Sequence, residues 1–162
     1  MTEAQLSNAM DAYGSTVYRL ALTRMQNIAD AEDVYQEVFL RLWKQAAEDW
    51  DGDRAKAWLI RTTLNRCADL HRFRLRRPVL SFAEIPDLAQ PEDESRELWE
   101  AVSRLPEKAR TAVHLYYAEG YSTEEISHLM HIPAATVRTR LHRARKQLKE
   151  LLGGIDDETC VS

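Results

Sequence analysis

The sequence predicts an all-α chain built from two small helical domains, a three- or four-helix domain and a helix-turn-helix domain, joined by a flexible linker. Three observations carry that expectation. Apolar residues recur at helical spacing nearly throughout, and no segment shows the strict alternation of a half-buried strand. Periodicity fades between Pro78 and Glu94, where three prolines and five acids mark a linker. The last third runs in the order short helix, tight turn, basic helix.

Taken in order, residues 7–25 read as the first helix, with Met10, Tyr13, Val17, Leu20 and Ala21 inward. Asp30 is placed to cap the second, with Glu32 and Asp33 in its positive first turn. Its apolar stripe is Ala31, Val34, Tyr35, Val38, Phe39, Leu42 and Trp43, the i, i+3, i+4, i+7 pattern of an amphipathic helix. A loop at Asp51-Gly52-Asp53 leads into a third helix, about 55–76, whose apolar side is Ala57, Ile60, Leu64, Cys67, Ala68 and His71. Trp58, beside Ala57 and Leu59, is expected in the core. Domain boundaries follow: 1–77, a linker over 78–94, 95–152, and a disordered tail over 153–162. Fully extended, the 17-residue linker reaches at most ~60 Å.

Residues 95–104 read as a helix with Leu98, Trp99 and Val102 apolar. Pro106 suits the first turn of the next helix, and Gly120 its end. Ser122 followed by Glu125 is a capping box opening a short helix to about Leu129. A turn at Met130-His131-Ile132-Pro133 precedes a long helix from Ala134 to about Leu152.

The net charge of −4 conceals a pattern. Residues 1–53 carry −6, 54–77 carry +7, 78–97 carry −5, and 138–149 carry +6 with no acid. Phosphate attraction is local, screened beyond ~8–10 Å, so the clusters matter more than the total. Two cationic helices at corresponding places in the two halves point to a polyanion. In the last helix Val137, Leu141, Ala144, Leu148 and Leu151 share the inward face, while Thr139, His142, Arg143 and Lys146 point outward with Arg138 and Arg145 on one flank. Such a face fits the DNA major groove, where Arg contacts guanine O6 and N7 and the other cations hold phosphates. In the third helix Arg61, Asn65, Asp69, Arg72 and Arg76 line one face. An amide and a carboxylate flanked by arginines suit a displaced base and its backbone.

AEDVYQEVFLRLW (31–43), AWLIRTTLNRCADLHR (57–72) and YSTEEISHLMHIPAATVRTRLHRAR (121–145) closely resemble the extracytoplasmic-function sigma factors, the smallest members of the sigma-70 family. The resemblance covers nearly the whole chain outside the linker and tail. It implies a promoter-recognition protein whose sigma-2 domain binds the clamp of bacterial RNA polymerase core and opens the −10 element. Its sigma-4 domain is implied to read the −35 element and touch the polymerase flap. By resemblance Asp33, Gln36, Glu37 and Leu40 fall in the clamp-binding helix. The loop from Asp51 to Arg54, with Asn65 and Asp69, matches the part that captures a flipped −10 base. Arg138, Thr139, His142 and Arg143 match the −35 readers. An anti-sigma factor, usually membrane-tethered in this family, is the implied regulatory partner. Four residues depart from the family pattern: His131 and Ala135 stand where glycines are usual, Ser127 where alanine is, and Tyr35 where an aliphatic residue is. The last is expected to reshape the clamp-facing helix slightly.

The rival reading is a helix-turn-helix regulator that does not bind core polymerase. It needs an effector or dimerisation domain, whereas residues 1–77 carry a second cationic cluster. A zinc site at His128 and His131, with Glu124 and Glu125 nearby, lacks converging ligands because His131 falls in the turn. No metal, cofactor or catalytic residue is therefore expected. The start of the chain lacks the basic region and apolar run of a signal peptide, and no stretch reaches the ~20 apolar residues of a membrane span. Two cysteines, Cys67 and Cys160, form no framework. These features lead to an expectation of a reduced, cytoplasmic protein without membrane insertion.

Overall fold

The computed structural model describes residues 1–45, 52–76 and 93–153, with the side chains of 76 and 93–95 excepted. Most of the expected linker, Asp51, Cys160 and the tail beyond Gly153 lie outside the described residues. The chain divides into two compact units, Met1–Pro86 and Asp87–Ser162. Every described element is helical.

In the first unit α1 (Glu3–Met25), α2 (Ile28–Lys44) and α3 (Gly52–Arg76) pack against one another. Helix α1 starts four residues earlier than expected because Thr2 and Gln5 form a reciprocal capping box: the Gln5 N–H donates to Thr2 Oγ1 (3.2 Å) and the Thr2 N–H to Gln5 Oε1 (2.9 Å). Its buried stretch begins only at Gly14, so Met10, expected inward, is exposed.

Helix α2 is capped by Asn27, not by Asp30. Gln26 takes the left-handed conformation at φ 52° that closes α1, and Asn27 Oδ1 then accepts the Asp30 N–H at 3.0 Å. The tight joint leaves Asp30 inside the first turn, where its buried carboxylate pairs with Arg74 at the far end of α3. One oxygen, Oδ2, is buried without a hydrogen bond among the described residues. Ala31, Val34, Val38, Phe39 and Leu42 form the buried stripe, whereas Trp43, at the edge of that stripe one turn after Phe39, is 41 % exposed.

Tyr35 turns towards α1 rather than towards solvent. Its hydroxyl sits 3.1 Å from where a Cβ on Gly14 would stand, and its ring meets Tyr18 edge-on and Phe39 at a tilt. The absent side chain at Gly14 thus provides the space that a phenol needs.

Helix α3 begins at Gly52, whose carbonyl accepts the Tyr13 hydroxyl at 3.0 Å, so Gly52–Arg54 belong to a helix and not to a loop. Its buried face is broader than expected: Ala55, Leu59, Ile60, Thr62, Thr63, Leu64 and Cys67. The threonines bury cheaply because their hydroxyls donate to the carbonyls of Trp58 and Leu59, both at 2.7 Å. Ala57, His71 and Trp58, all expected in the core, are only partly buried.

The second unit comprises α4 (Asp93–Ser103), α5 (Glu107–Val113), a π-helical stretch His114–Ala118, α6 (Thr123–Met130) and α7 (Ala134–Leu151). Helix α7 packs on α4, α5 and α6. Helix α4 begins two residues earlier than expected and buries Ala101, while Leu105 just beyond it is also buried; Leu98 and Trp99, two of its apolar positions, are exposed. Pro106 opens α5, and the buried Arg110 donates to the Leu105 carbonyl at 2.7 Å. After the π-helical stretch the chain turns at Gly120, φ +73°, as the stop signal requires. In α7 Val137, Leu141 and Ala144 are buried, Leu148 only partly, and Leu151 is exposed because the last turn runs past the packed stretch.

Burial raises the Asp30 carboxyl above its ordinary 3.8, opposed by Arg74. The folded chain therefore binds this proton more tightly than the unfolded one. The stability it contributes is fully present at low pH and falls as pH climbs from 3.8 through the raised value. Urea unfolding of wild type and Asp30→Asn between about pH 3.5 and 7 is expected to show the wild type losing ground steadily across that window, by at most about 1.4 kcal/mol per pH unit. A widening wild-type advantage would contradict this assignment.

Candidate nucleic-acid interface

Each cationic face is rooted in its unit by the opposite side of the same helix. On α7, Arg138, Thr139, His142, Arg143 and Lys146 are all exposed. The three buried positions of this helix are spaced four and three residues apart and lie on its other side, so the exposed five form one patch about two turns long. Among the described residues His142, Arg143 and Lys146 make no side-chain hydrogen bond or ion pair, leaving their donors directed at solvent. Thr139 donates its hydroxyl to the Ala135 carbonyl at 3.0 Å, so it presents a methyl group and an acceptor oxygen.

The flanking arginines are not equivalent. Arg145 donates Nε–H to the Tyr117 hydroxyl at 2.7 Å and lies 5.6 and 5.7 Å from the ring centroids of Tyr116 and Tyr117. The π-helical stretch sets both tyrosines on this side, which ties Arg145 to its own unit. Arg138 instead approaches Glu124 of α6 at 4.0 Å. Neither contact was legible in the sequence, although the Tyr-Tyr pair ahead of a helix-turn-helix was a usable hint.

The turn between α6 and α7 explains two departures together. Ser122 and Glu125 form the expected capping box, with bonds of 3.0 and 3.1 Å. His131 caps the helix at φ 56°, a left-handed conformation in which a side chain is strained. Ser127 fastens this turn: its hydroxyl donates to the Ile132 carbonyl at 2.5 Å, and its own carbonyl accepts the Ile132 N–H at 3.1 Å. The hydroxyl that an alanine lacks offsets the strain that a glycine would avoid.

On α3, Arg61 and Asn65 are exposed one turn apart, followed by Asp69 and Arg72. Asp69 and Arg72 form an ion pair with each other, so part of the Arg72 charge is neutralised. Arg76 is the last residue of the helix, and its side chain is outside the described part. A third surface lies on α2, where Asp33, Gln36 and Leu40 are exposed and Glu37 holds Arg41 at 3.2 Å. Leu40 is 53 % exposed, and Trp43 continues the same stripe. The seven-residue step from Gln36 to Trp43 places the tryptophan on that stripe, a signal that its hydrophobicity masked.

Among the described residues no three His, Cys, Asp or Glu side chains converge on a metal-sized site, and His128 and His131 are both exposed. None of the described helices is long and apolar enough to cross a membrane.

Comparison with known proteins separates the readings left open by geometry. Residues 9–77 match the family model for Sigma-70 region 2, and residues 95–148 match that for Sigma-70, region 4. SigM of Bacillus subtilis, an ECF RNA polymerase sigma factor, is 32 % identical over 155 residues, covering 90 % of this chain and 94 % of that one. The chain belongs to the extracytoplasmic-function sigma factors. Proteins of this family serve transcription initiation by binding and are not enzymes. SigE of Mycolicibacterium smegmatis is 34 % identical over 161 residues, and this sigma factor spans 62 % of that relative's length. SigW of Bacillus subtilis is 29 % identical over 167 residues, with 90 % and 88 % covered. Among solved structures, CnrH in complex with the cytosolic domain of CnrY superposes with a TM-score of 0.65 at 26 % identity, covering 93 % of this sigma factor and 89 % of that chain. RpoE of Bartonella quintana, in complex with the anti-sigma factor NepR, shares the fold with a TM-score of 0.75 at 24 % identity, covering 91 % and 96 %.

Ser127→Ala is expected to lower stability by about 1 kcal/mol and His131→Gly to raise it by about 0.5–1 kcal/mol, both read by thermal unfolding. Destabilisation by His131→Gly would show that the imidazole, and not the turn geometry, matters at this position.

Proposed function

We propose that this sigma factor directs bacterial core RNA polymerase to promoters by gripping DNA with two helices at separate sites. The observation that carries the reading is the pairing of two exposed cationic helix faces, one rooted in each unit, within a chain that matches sigma regions 2 and 4. In this reading residues 1–77 form the sigma-2 domain and 95–152 the sigma-4 domain, joined through 78–94, of which Asp93 and Glu94 already belong to α4, with 153–162 as a tail.

Asp33, Gln36, Glu37 and Leu40 dock α2 on the polymerase clamp, their acids meeting basic groups while Leu40 and its neighbour Trp43 bury apolar area. Arg61, Asn65, Asp69, Arg72 and Arg76 hold the displaced strand of the −10 element: the amide pairs with a base edge and the arginines hold phosphates. Exposure of Asn65 one turn from the exposed Arg61 supports that division of labour. Arg138, Thr139, His142, Arg143 and Lys146 enter the major groove at the −35 element. Arg143, whose donors are uncommitted among the described residues, reads a guanine, and Thr139 offers its methyl to a thymine. Captured single-stranded bases then bias the promoter towards the open state. The work is done by binding, with no cofactor and no metal. Polymerase and promoter place it in the cytoplasm. The complex of the Bartonella relative with an anti-sigma factor supports a partner of the same class here.

Run-off transcription with purified core polymerase on a library of promoters tests the reading, because a regulator that ignores core enzyme confers no start-site selection. In the same assay Arg143→Ala is expected to weaken promoter binding by about 1–3 kcal/mol and to relax choice at one −35 base. An equal loss on every sequence would reduce Arg143 to a phosphate contact. Asn65→Ala is expected to impair strand opening more than closed-complex binding, and an unchanged permanganate footprint would remove that residue from the opening step.

A further inference from the structure

Glu124 stands outside the residues assigned above to promoter contact. It is the second residue of α6, and its carboxylate is held from two sides. Thr123 Oγ1 donates to Oε2 at 3.1 Å, while Oε1 lies 4.0 Å from Nη1 of Arg138 on α7. Its own backbone N–H at the start of α6 and the Thr123 hydroxyl hold the carboxyl below its ordinary range, with Arg138 adding to the effect. The side chains are 69 % and 59 % exposed. An ion pair this open contributes little to stability. Its consequence therefore lies in direction: of the five residues on the outward face of α7, Arg138 alone meets an acid among the described residues.

We propose that Glu124 is a positioning and specificity-determining residue, which orients Arg138 at the leading edge of the DNA-reading helix and disfavours its indiscriminate use on phosphate. The proposal rests on the reading of α7 as the −35 reader. A carboxylate beside the groove repels phosphates on every sequence equally, whereas an oriented guanidinium gains only where the matching base stands. The first lowers binding to all DNA alike, and the second enlarges the gap between matched and unmatched DNA. The arrangement also gives a role to an acid standing next to a surface whose other members are cationic or neutral.

The test uses full-length protein reconstituted with core polymerase and a duplex library randomised over the −35 hexamer, bound at several salt concentrations and sequenced. Wild type, Glu124→Gln, Glu124→Asp, Arg138→Ala and the Glu124→Gln/Arg138→Ala double variant are compared. Arg138→Ala is expected to flatten preference at one position of the hexamer. Glu124→Gln is expected to flatten the same position about twofold, a fraction of the roughly 5- to 150-fold discrimination of a good arginine–base contact, and to raise binding to a fixed unmatched duplex. Glu124→Asp keeps a negative charge at the helix start but shortens the reach to Arg138, and it is expected to flatten that position too. In the double variant the glutamine adds nothing to the loss from Arg138→Ala. A base profile unchanged by Glu124→Gln, or a glutamine effect that persists in full without Arg138, overturns the positioning role alone. A purely helix-stabilising role would lower the melting temperature and leave the profile intact, which likewise refutes it. If wild-type holoenzyme selects no sequence at all, the reading of α7 fails and the role of Glu124 falls with it.

Discussion

A helix that displays a row of cations must be held in place by its other side, and this constraint organises both units. Like charges one turn apart on a helix repel by about 0.2–0.5 kcal/mol per pair, whereas each fully buried Val, Leu or Ile contributes about 1.5–3 kcal/mol. In α7 the buried Val137 and Leu141, with Ala144 beside them, outweigh the repulsion along Arg138–Lys146. In α3 Leu59, Ile60 and Leu64 serve the same end, and the Asp30–Arg74 pair ties the last turn of α3 back to the first turn of α2. Burial thus permits a charge density on the outward faces that neither helix would sustain alone.

Much of this was legible because it is periodic or capped. The stripe of α2, the Ser122–Glu125 box and the inward face of α7 as far as Ala144 all follow from residue spacing. What spacing does not foresee is the exposure of large apolar residues: Trp43 belongs to the apolar stripe and Leu98 and Trp99 are apolar positions of their helix, yet all three are exposed, and Trp58, expected in the core, is only partly covered. Periodicity treats every tryptophan as core. A chain built to bind larger partners breaks that assumption, since an exposed apolar patch is what a docking face requires. The outward cationic faces were legible for the converse reason, as runs of Arg and Lys cannot be buried without partners.

Other details escaped because they depend on two residues distant in sequence. Asp30 looks like a helix cap until Asn27 is seen to hold that place and Arg74, on another helix, to take the carboxylate. Tyr35 looks like one more apolar-stripe position with a hydroxyl to spare until Gly14 supplies the room for its ring. Arg145 looks like one more DNA contact, but two tyrosines on another segment engage it. His131 and Ser127 looked like separate departures and prove to be halves of one turn. In each pair, one member has no evident reason without the other.

The π-helical stretch has a geometric corollary. Its wide hydrogen bond, from the Glu119 N–H to the His114 carbonyl at 3.2 Å, accommodates one residue more than a regular turn holds. Because each residue of an α-helix advances the chain by about 100°, that surplus resets the angular phase before the glycine corner. The bulge works like a vernier: the helix before it keeps its own pitch, and the segment after it, with α6 and α7, sets off from a shifted heading.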